Sequence, residues 1–254
     1  MSARELLYGE RHEAEFVQPS SRIDVSSTET LALADVEIAY SLFEIPMATL
    51  VSALPVSLHP SIPAVLATSF WRVPTSPFGA FNFSYVGLAC RTGIKPRHMV
   101  VQAWCDNRQA SAYLRDRYGF DCGQAEVRCH ESYERVQGQV SVEGVVMLDI
   151  TITDCVPIVS GGGSVKYSPP LSLTTINDRV GFAQFEAGYS FKRVLRGPVK
   201  AKTFAVAAPG KVSIQPTYSV AGTFAVCDVE LFPVRFVVDL VRPAEDGGAS
   251  KVVR

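Results

Sequence analysis

The sequence predicts a β-rich α+β fold, a curved sheet or barrel with a few helices packed on it. Three observations carry this. Most segments are short runs of Val, Phe, Ile and Trp bounded by turn residues, the pattern of strands. Only two stretches have helical spacing. The strands are too many for a doubly wound α/β sheet. The 254 residues are 47% hydrophobic and 19% charged, which is enough apolar material for a sizeable core.

Residues 1–29 read as a polar N-terminal arm, with Pro19-Ser20-Ser21 and Ser26-Ser27-Thr28 runs. Val36–Phe43 alternates like a half-buried strand. Pro46 suits the first turn of a short helix over MATLVSA that Pro55 ends. Strands are then expected at Ala64–Val73, Phe81–Cys90 and Met99–Cys105. The second helix spans Asp106–Tyr118. Asp106 is its expected N-cap, and Ala110, Tyr113, Leu114 and Arg117 fall at helical spacing. Gly119 sits where a left-handed cap is wanted. Gln124–Cys129, Tyr133–Val140, Val145–Ile152, Thr203–Ala207, Val212–Gln215 and Thr223–Leu231 complete the expected strands, and Phe236–Val241 is a closing helix or strand. Residues 30–242 form one domain on this reading, and 243–254, with AEDGGASK, form a loose tail.

The composition excludes several functions. Net charge is −1, from 24 basic and 25 acidic residues, so no bulk charge draws a nucleic acid. A charged fraction below the usual quarter suggests surface buried between copies, hence a homo-oligomer. No run of about 18 apolar residues suits a membrane span. The start, MSARELLYGERHEAEF, lacks the apolar core of a signal peptide. The six cysteines (90, 105, 122, 129, 155 and 227) include no C-x-x-C pair and read as reduced, buried thiols, so a cytoplasmic location is expected. His12, His59, His98 and His130 have no partners at metal-ligand spacing, and neither metal nor cofactor is expected. Gly161-Gly162-Gly163 lacks the Lys-Ser/Thr of a phosphate loop and reads as a hairpin or lid loop. There is no G-x-S-x-G elbow, and the aromatic residues read as core.

The stretch from Phe70 to Val140 carries a family likeness. SPFGAF at 76–81, HMVVQAWCDN at 98–107 and ASAYLRDRYGF at 110–120 are followed by a strand and a hairpin. Farther on come RGPVKAKTF at 196–204 and FAVCDVEL at 224–231. In this order the pieces resemble the acetoacetate decarboxylase-like superfamily, over about 200 residues. The resemblance implies a cone-shaped closed β-barrel with helices around it, a buried pocket and homo-oligomeric assembly.

The family's catalytic parts do not carry over. In decarboxylating members a lysine pair follows the helix and its aromatic turn, and one amine, activated by desolvation and a neighbouring cation, forms a Schiff base. Here the corresponding positions are Asp121 and Cys122, and no lysine lies between Lys95 and Lys166. A family acid belongs where Ala80 stands, yet no Asp or Glu lies between Glu44 and Asp106. The family's pocket arginine falls around Ala34.

A pocket without its lysine still binds small molecules. The expected lining is Trp71, Asn82, Gln102, Trp104 and Phe120. Arg72, in the apolar run SFWRVP, is a candidate to hold a carboxylate or enolate. Asp121 is a candidate acid or base and Cys122 a candidate nucleophile. The leading expectation is a protein that binds or acts on a hydrophobic oxo acid, polyketide-like or lipid-like molecule without amine catalysis. Enolisation, isomerisation, cyclisation or dehydration would fit. The alternatives are a non-catalytic binding or scaffold protein, and a Schiff-base enzyme using a displaced Lys192, Lys200 or Lys202.

Overall fold

The computed structural model describes residues 7–17, 22–92, 95–158, 165–238, 240 and 250–252. The Gly161–Gly163 loop and residues 243–249 and 253–254 of the tail lie outside the described residues. The elements in chain order begin with β1 (Arg22–Ile23), β2 (Leu31–Glu44), α1 (Met47–Ala53), β3 (His59–Pro60), β4 (Val65–Val73), β5 (Phe81–Thr92) and β6 (Lys95–Cys105). Next are α2 (Arg108–Tyr118), β7 (Cys122–Gln124), β8 (Glu126–Ser132), β9 (Arg135–Val142), β10 (Val145–Ile152) and β11 (Val156–Pro157). The chain closes with β12 (Pro170–Ile176), β13 (Arg179–Gln184), β14 (Ala187–Gly197), β15 (Val199–Phe204), β16 (Val206–Ala208), β17 (Val212–Ile214), β18 (Tyr218–Leu231), β19 (Phe236–Val238) and β20 (Ser250–Val252).

Fourteen strands form one large sheet, whose main path runs β11-β14-β18-β2-β4-β5-β6-β12-β13-β19-β20. A four-stranded sheet, β15-β10-β9-β8, packs on one of its faces, and β16 and β17 form a separate hairpin. Strands β13 and β14 stand far apart in the large sheet, yet only Phe185 and Glu186 join them in the chain. A two-residue link spans only about 7–10 Å. The sheet must therefore curl until its distant strands meet. Trp71 on β4 shows the result, touching both Phe185 and Tyr189 with ring centroids 6.2 Å away. No ladder joins β13 to β14 among the described residues, so the strongly curved sheet stops short of the closed barrel that the resemblance implies.

The curl separates two cores. On the concave face Tyr40, Trp71, Phe83, Tyr85, Phe120 and Phe185 pack together. On the convex face Phe70, Leu88 and Trp104 meet Val127, Val136, Val140 and Ile150 of the small sheet. Gly138 makes that second contact possible, because a Cβ there would stand 2.4 Å from the Phe70 ring.

Helix α2 forms as expected, with one correction. Its N-cap is Asn107, whose Oδ1 accepts from the backbone N–H of Gln109 (2.9 Å) and Ala110 (3.1 Å). Asp106 instead accepts from Asn82, through the backbone N–H at 2.7 Å and the side-chain amide at 2.6 Å. Gly119 ends the helix in the left-handed conformation, φ 74°. Strands β12, β13 and β14 have no counterpart in the sequence reading. Their polar insertions, such as Ser172, Thr174, Thr175 and Lys192-Arg193, break the apolar runs it relied on.

Candidate functional site: a tyrosine-lined concave face

Alternation along strands decides which side chains meet, because neighbours in a strand point to opposite faces. On β2, Ile38 and Tyr40 face the concave side. On β5, Phe81, Phe83 and Tyr85 do the same at every second position. Tyr189 and Phe191 on β14 come in from the other side of the curl, and Tyr167 arrives from the segment before β12. Four phenols therefore converge. Ring centroids are 4.9 Å apart for Tyr40 and Tyr167, and 5.1 Å for Tyr167 and Tyr189. His98 on β6 joins them, 6.3 Å from the Tyr40 ring. Tyr85 is 3% exposed and lies beside Ser69, whose hydroxyl accepts from the Trp71 indole N–H at 2.8 Å.

These groups are all held neutral. Burial raises the pKa of Tyr40, Tyr85, Tyr167 and Tyr189 above that of free tyrosine. The neighbouring phenols add to this for Tyr40 and Tyr189, since a second phenolate would repel the first. Burial also drives the His98 imidazole down to about 4. Its Nδ1 makes a long contact, 3.5 Å, to the Ser168 carbonyl. With the ring proton on Nδ1, Nε2 is left as an acceptor. The cluster is thus a set of neutral O–H donors beside one neutral base.

The expected site residues divide between the two faces. Trp71 and Phe120 belong to the concave cluster; Phe120 is 1% exposed and packs on Phe83, Tyr85 and Phe185. Arg72 does not join them. Being next to Trp71 in the strand, it points the other way, its side chain 51% exposed and paired at 2.5 Å with Glu37. Asn82 serves as the brace to Asp106. Gln102 and Trp104 line a groove on the convex side, with Phe120 and Asp121. Asp121 is exposed. Cys122 packs against the concave cluster, but burial lifts its thiol well above the ordinary value, which leaves it protonated and a poor nucleophile. Arg72 and Asp121, whose convergence the sequence leaves open, both lie exposed and do not meet in a buried pocket. Tyr40, Tyr85, Tyr167, Tyr189 and His98 were absent from the sequence-based site. The period-two aromatic run at 81, 83 and 85 was the available signal, but it reads equally well as core.

Every described lysine whose side chain is placed, namely 95, 166, 192, 200, 202 and 211, is exposed. Lys192 is held between Asp35 (2.7 Å) and Asp228 (2.6 Å), which raises its pKa, the opposite of amine activation. Among the described residues no three His, Cys, Asp or Glu side chains cluster as metal ligands. No described helix is long and apolar enough to cross a membrane.

Neither a protein-family model nor a curated protein matches the sequence. Solved structures do. An acetoacetate decarboxylase from Legionella pneumophila aligns with a TM-score of 0.68 at 17% identity, over 94% of this chain and 98% of that one. The enduracididine biosynthesis enzyme MppR, solved in complex with pyruvate, aligns at 0.65 and 14% identity, over 81% and 89%. An acetoacetate decarboxylase-like enzyme from Sphingomonas wittichii RW1 aligns at 0.61 and 11% identity, over 89% and 97%. These alignments show that the chain has the acetoacetate decarboxylase-like fold.

Proposed function

We propose that the concave face binds a hydrophobic carbonyl compound and enolises it without forming a Schiff base. The observation that supports this is the meeting of four neutral phenols and a neutral imidazole on the concave face. Phenolic O–H groups in a dry site stabilise the oxygen on which charge develops when an α-proton leaves. His98 Nε2 is the acceptor for that proton. Weak bases facing strong hydrogen-bond donors perform this chemistry in ketosteroid isomerase. MppR offers a parallel within the fold, since it was solved with the oxo acid pyruvate. This chain favours a neutral ketone over an oxo acid. The concave cluster is built from uncharged side chains, and Arg72 lies on the other face, so a carboxylate would be buried without a counter-ion.

The test is α-proton exchange. Benzylacetone in deuterated buffer should lose its α-protons faster with the protein than without it. Tyr40→Phe should slow that exchange by about a hundredfold while the fold is kept. Borohydride added during the reaction should trap no lysine adduct; a stable adduct overturns the noncovalent mechanism. Saturable binding without exchange overturns the enzymatic reading and leaves a binding protein.

A further inference from the structure

One row across the concave face reads Tyr40, Ser69, Tyr85, on β2, β4 and β5. Ser69 is paired directly with both tyrosines, and side chains directly opposed in a sheet stand within reach of each other. Ser69 is 1% exposed, so its hydroxyl must find its partners inside the protein. One of them is fixed. The Trp71 indole N–H, two residues along the same face of β4, donates to Ser69 Oγ at 2.8 Å. An indole nitrogen only donates, so this bond has one possible direction. It leaves the Ser69 proton to be given onward.

Tyr85 hydrogen-bonds to Ser69. Burial raises the Tyr85 pKa, and this bond opposes the rise, as a hydroxyl donating to the phenol oxygen does. A phenol oxygen that accepts in this way still carries its own proton to donate. Trp71, the first donor of the series, is itself packed by Phe83, Phe185 and Tyr189. From the indole N–H fixed on Ser69 and from the Tyr40–Ser69–Tyr85 row, we infer that Trp71 and Ser69 are positioning residues. They set the direction of the Tyr85 hydroxyl, which donates to the carbonyl oxygen of a bound ketone. This inference rests on the ketone reading of the concave face. Hydrogen bonds aligned donor to acceptor strengthen one another, so Tyr85 is a better donor than an isolated phenol.

Fluorine NMR separates this relay from enolisation. The protein is labelled with 3-fluorotyrosine, and the Tyr85 signal is the one that Tyr85→Phe removes. Ser69→Ala should shift that signal and the Trp71 indole N–H, while the indole N–H of Trp104, in the convex core, stays in place. Bound benzylacetone should also move the Tyr85 signal. In proton exchange by unlabelled protein, Tyr85→Phe should lower kcat by about a hundredfold. Ser69→Ala should lower it about tenfold with KM little changed. In a Tyr85→Phe background Ser69→Ala should cost nothing further. Ser69→Thr keeps the hydroxyl and should restore both the rate and the fluorine signal. Three results would overturn the relay: an unmoved Tyr85 signal in Ser69→Ala, an equal loss of kcat from Ser69→Ala with and without Tyr85, or a Ser69→Thr variant as impaired as Ser69→Ala. A wild type that exchanges no benzylacetone protons overturns the enolisation instead, and the fluorine signal still decides the relay.

Discussion

Trp71 and Arg72 are adjacent in the chain, and a strand sends them to opposite faces. That single rule separates an interior ring from a surface ion pair. Arg72→Ala should accordingly leave benzylacetone binding unchanged, since an exposed pair contributes little and touches no part of the cluster. His98 behaves differently. Its pKa falls from 6.5 to about 4 on folding, so the unfolded chain binds the proton more readily. The stability that neutral His98 preserves is complete above pH 6.5 and is lost as pH falls towards 4. Roughly 3 kcal/mol should disappear across that window. His98→Gln should flatten this part of the pH profile in urea unfolding. A variant as acid-sensitive as the wild type would show that His98 is not buried neutral.

At the scale of elements, irregularities place the side chains. A register shift between Val86 and Gly87 inserts one extra residue in β6. It lets Val100 and Ala103 face the same side although they are three apart. Gly87 has little room to vary, because a Cβ there would meet the His98 Cβ at 3.0 Å. Gly138 plays the same part between the sheets. Gly138→Ala should cost about 1–3 kcal/mol by forcing the Phe70 ring out of its place, which thermal unfolding would register. A neutral result would mean that the two sheets do not interlock at this point.

For the whole molecule, the two-residue link between β13 and β14 is the decisive feature. It brings opposite parts of the large sheet together around Phe185, which touches Trp71, Tyr118 and Phe120. Phe185→Ala should lower stability by about 3–5 kcal/mol and also weaken ketone binding, because the rings on both sides lose their common support. If stability fell while the ketone bound as before, the concave cluster would not be one packed unit.

The sequence by itself determined the β-rich class, the α2 helix with its left-handed glycine, and the absence of a lysine after the helix turn. These rest on local periodicity, backbone preference and a covalent inventory, none of which needs the rest of the chain. It also carried the family likeness, and solved structures of that fold align with the chain at identities of 11–17%. Only the tertiary structure decided the site. Tyr40, Tyr85, Tyr167 and Tyr189 lie far apart in sequence, and each alone looks like ordinary core. Curl and strand register bring them together. The same folding sent Arg72 outward and left Asp121 on the surface, because strand parity and sheet curvature are settled by packing between distant segments.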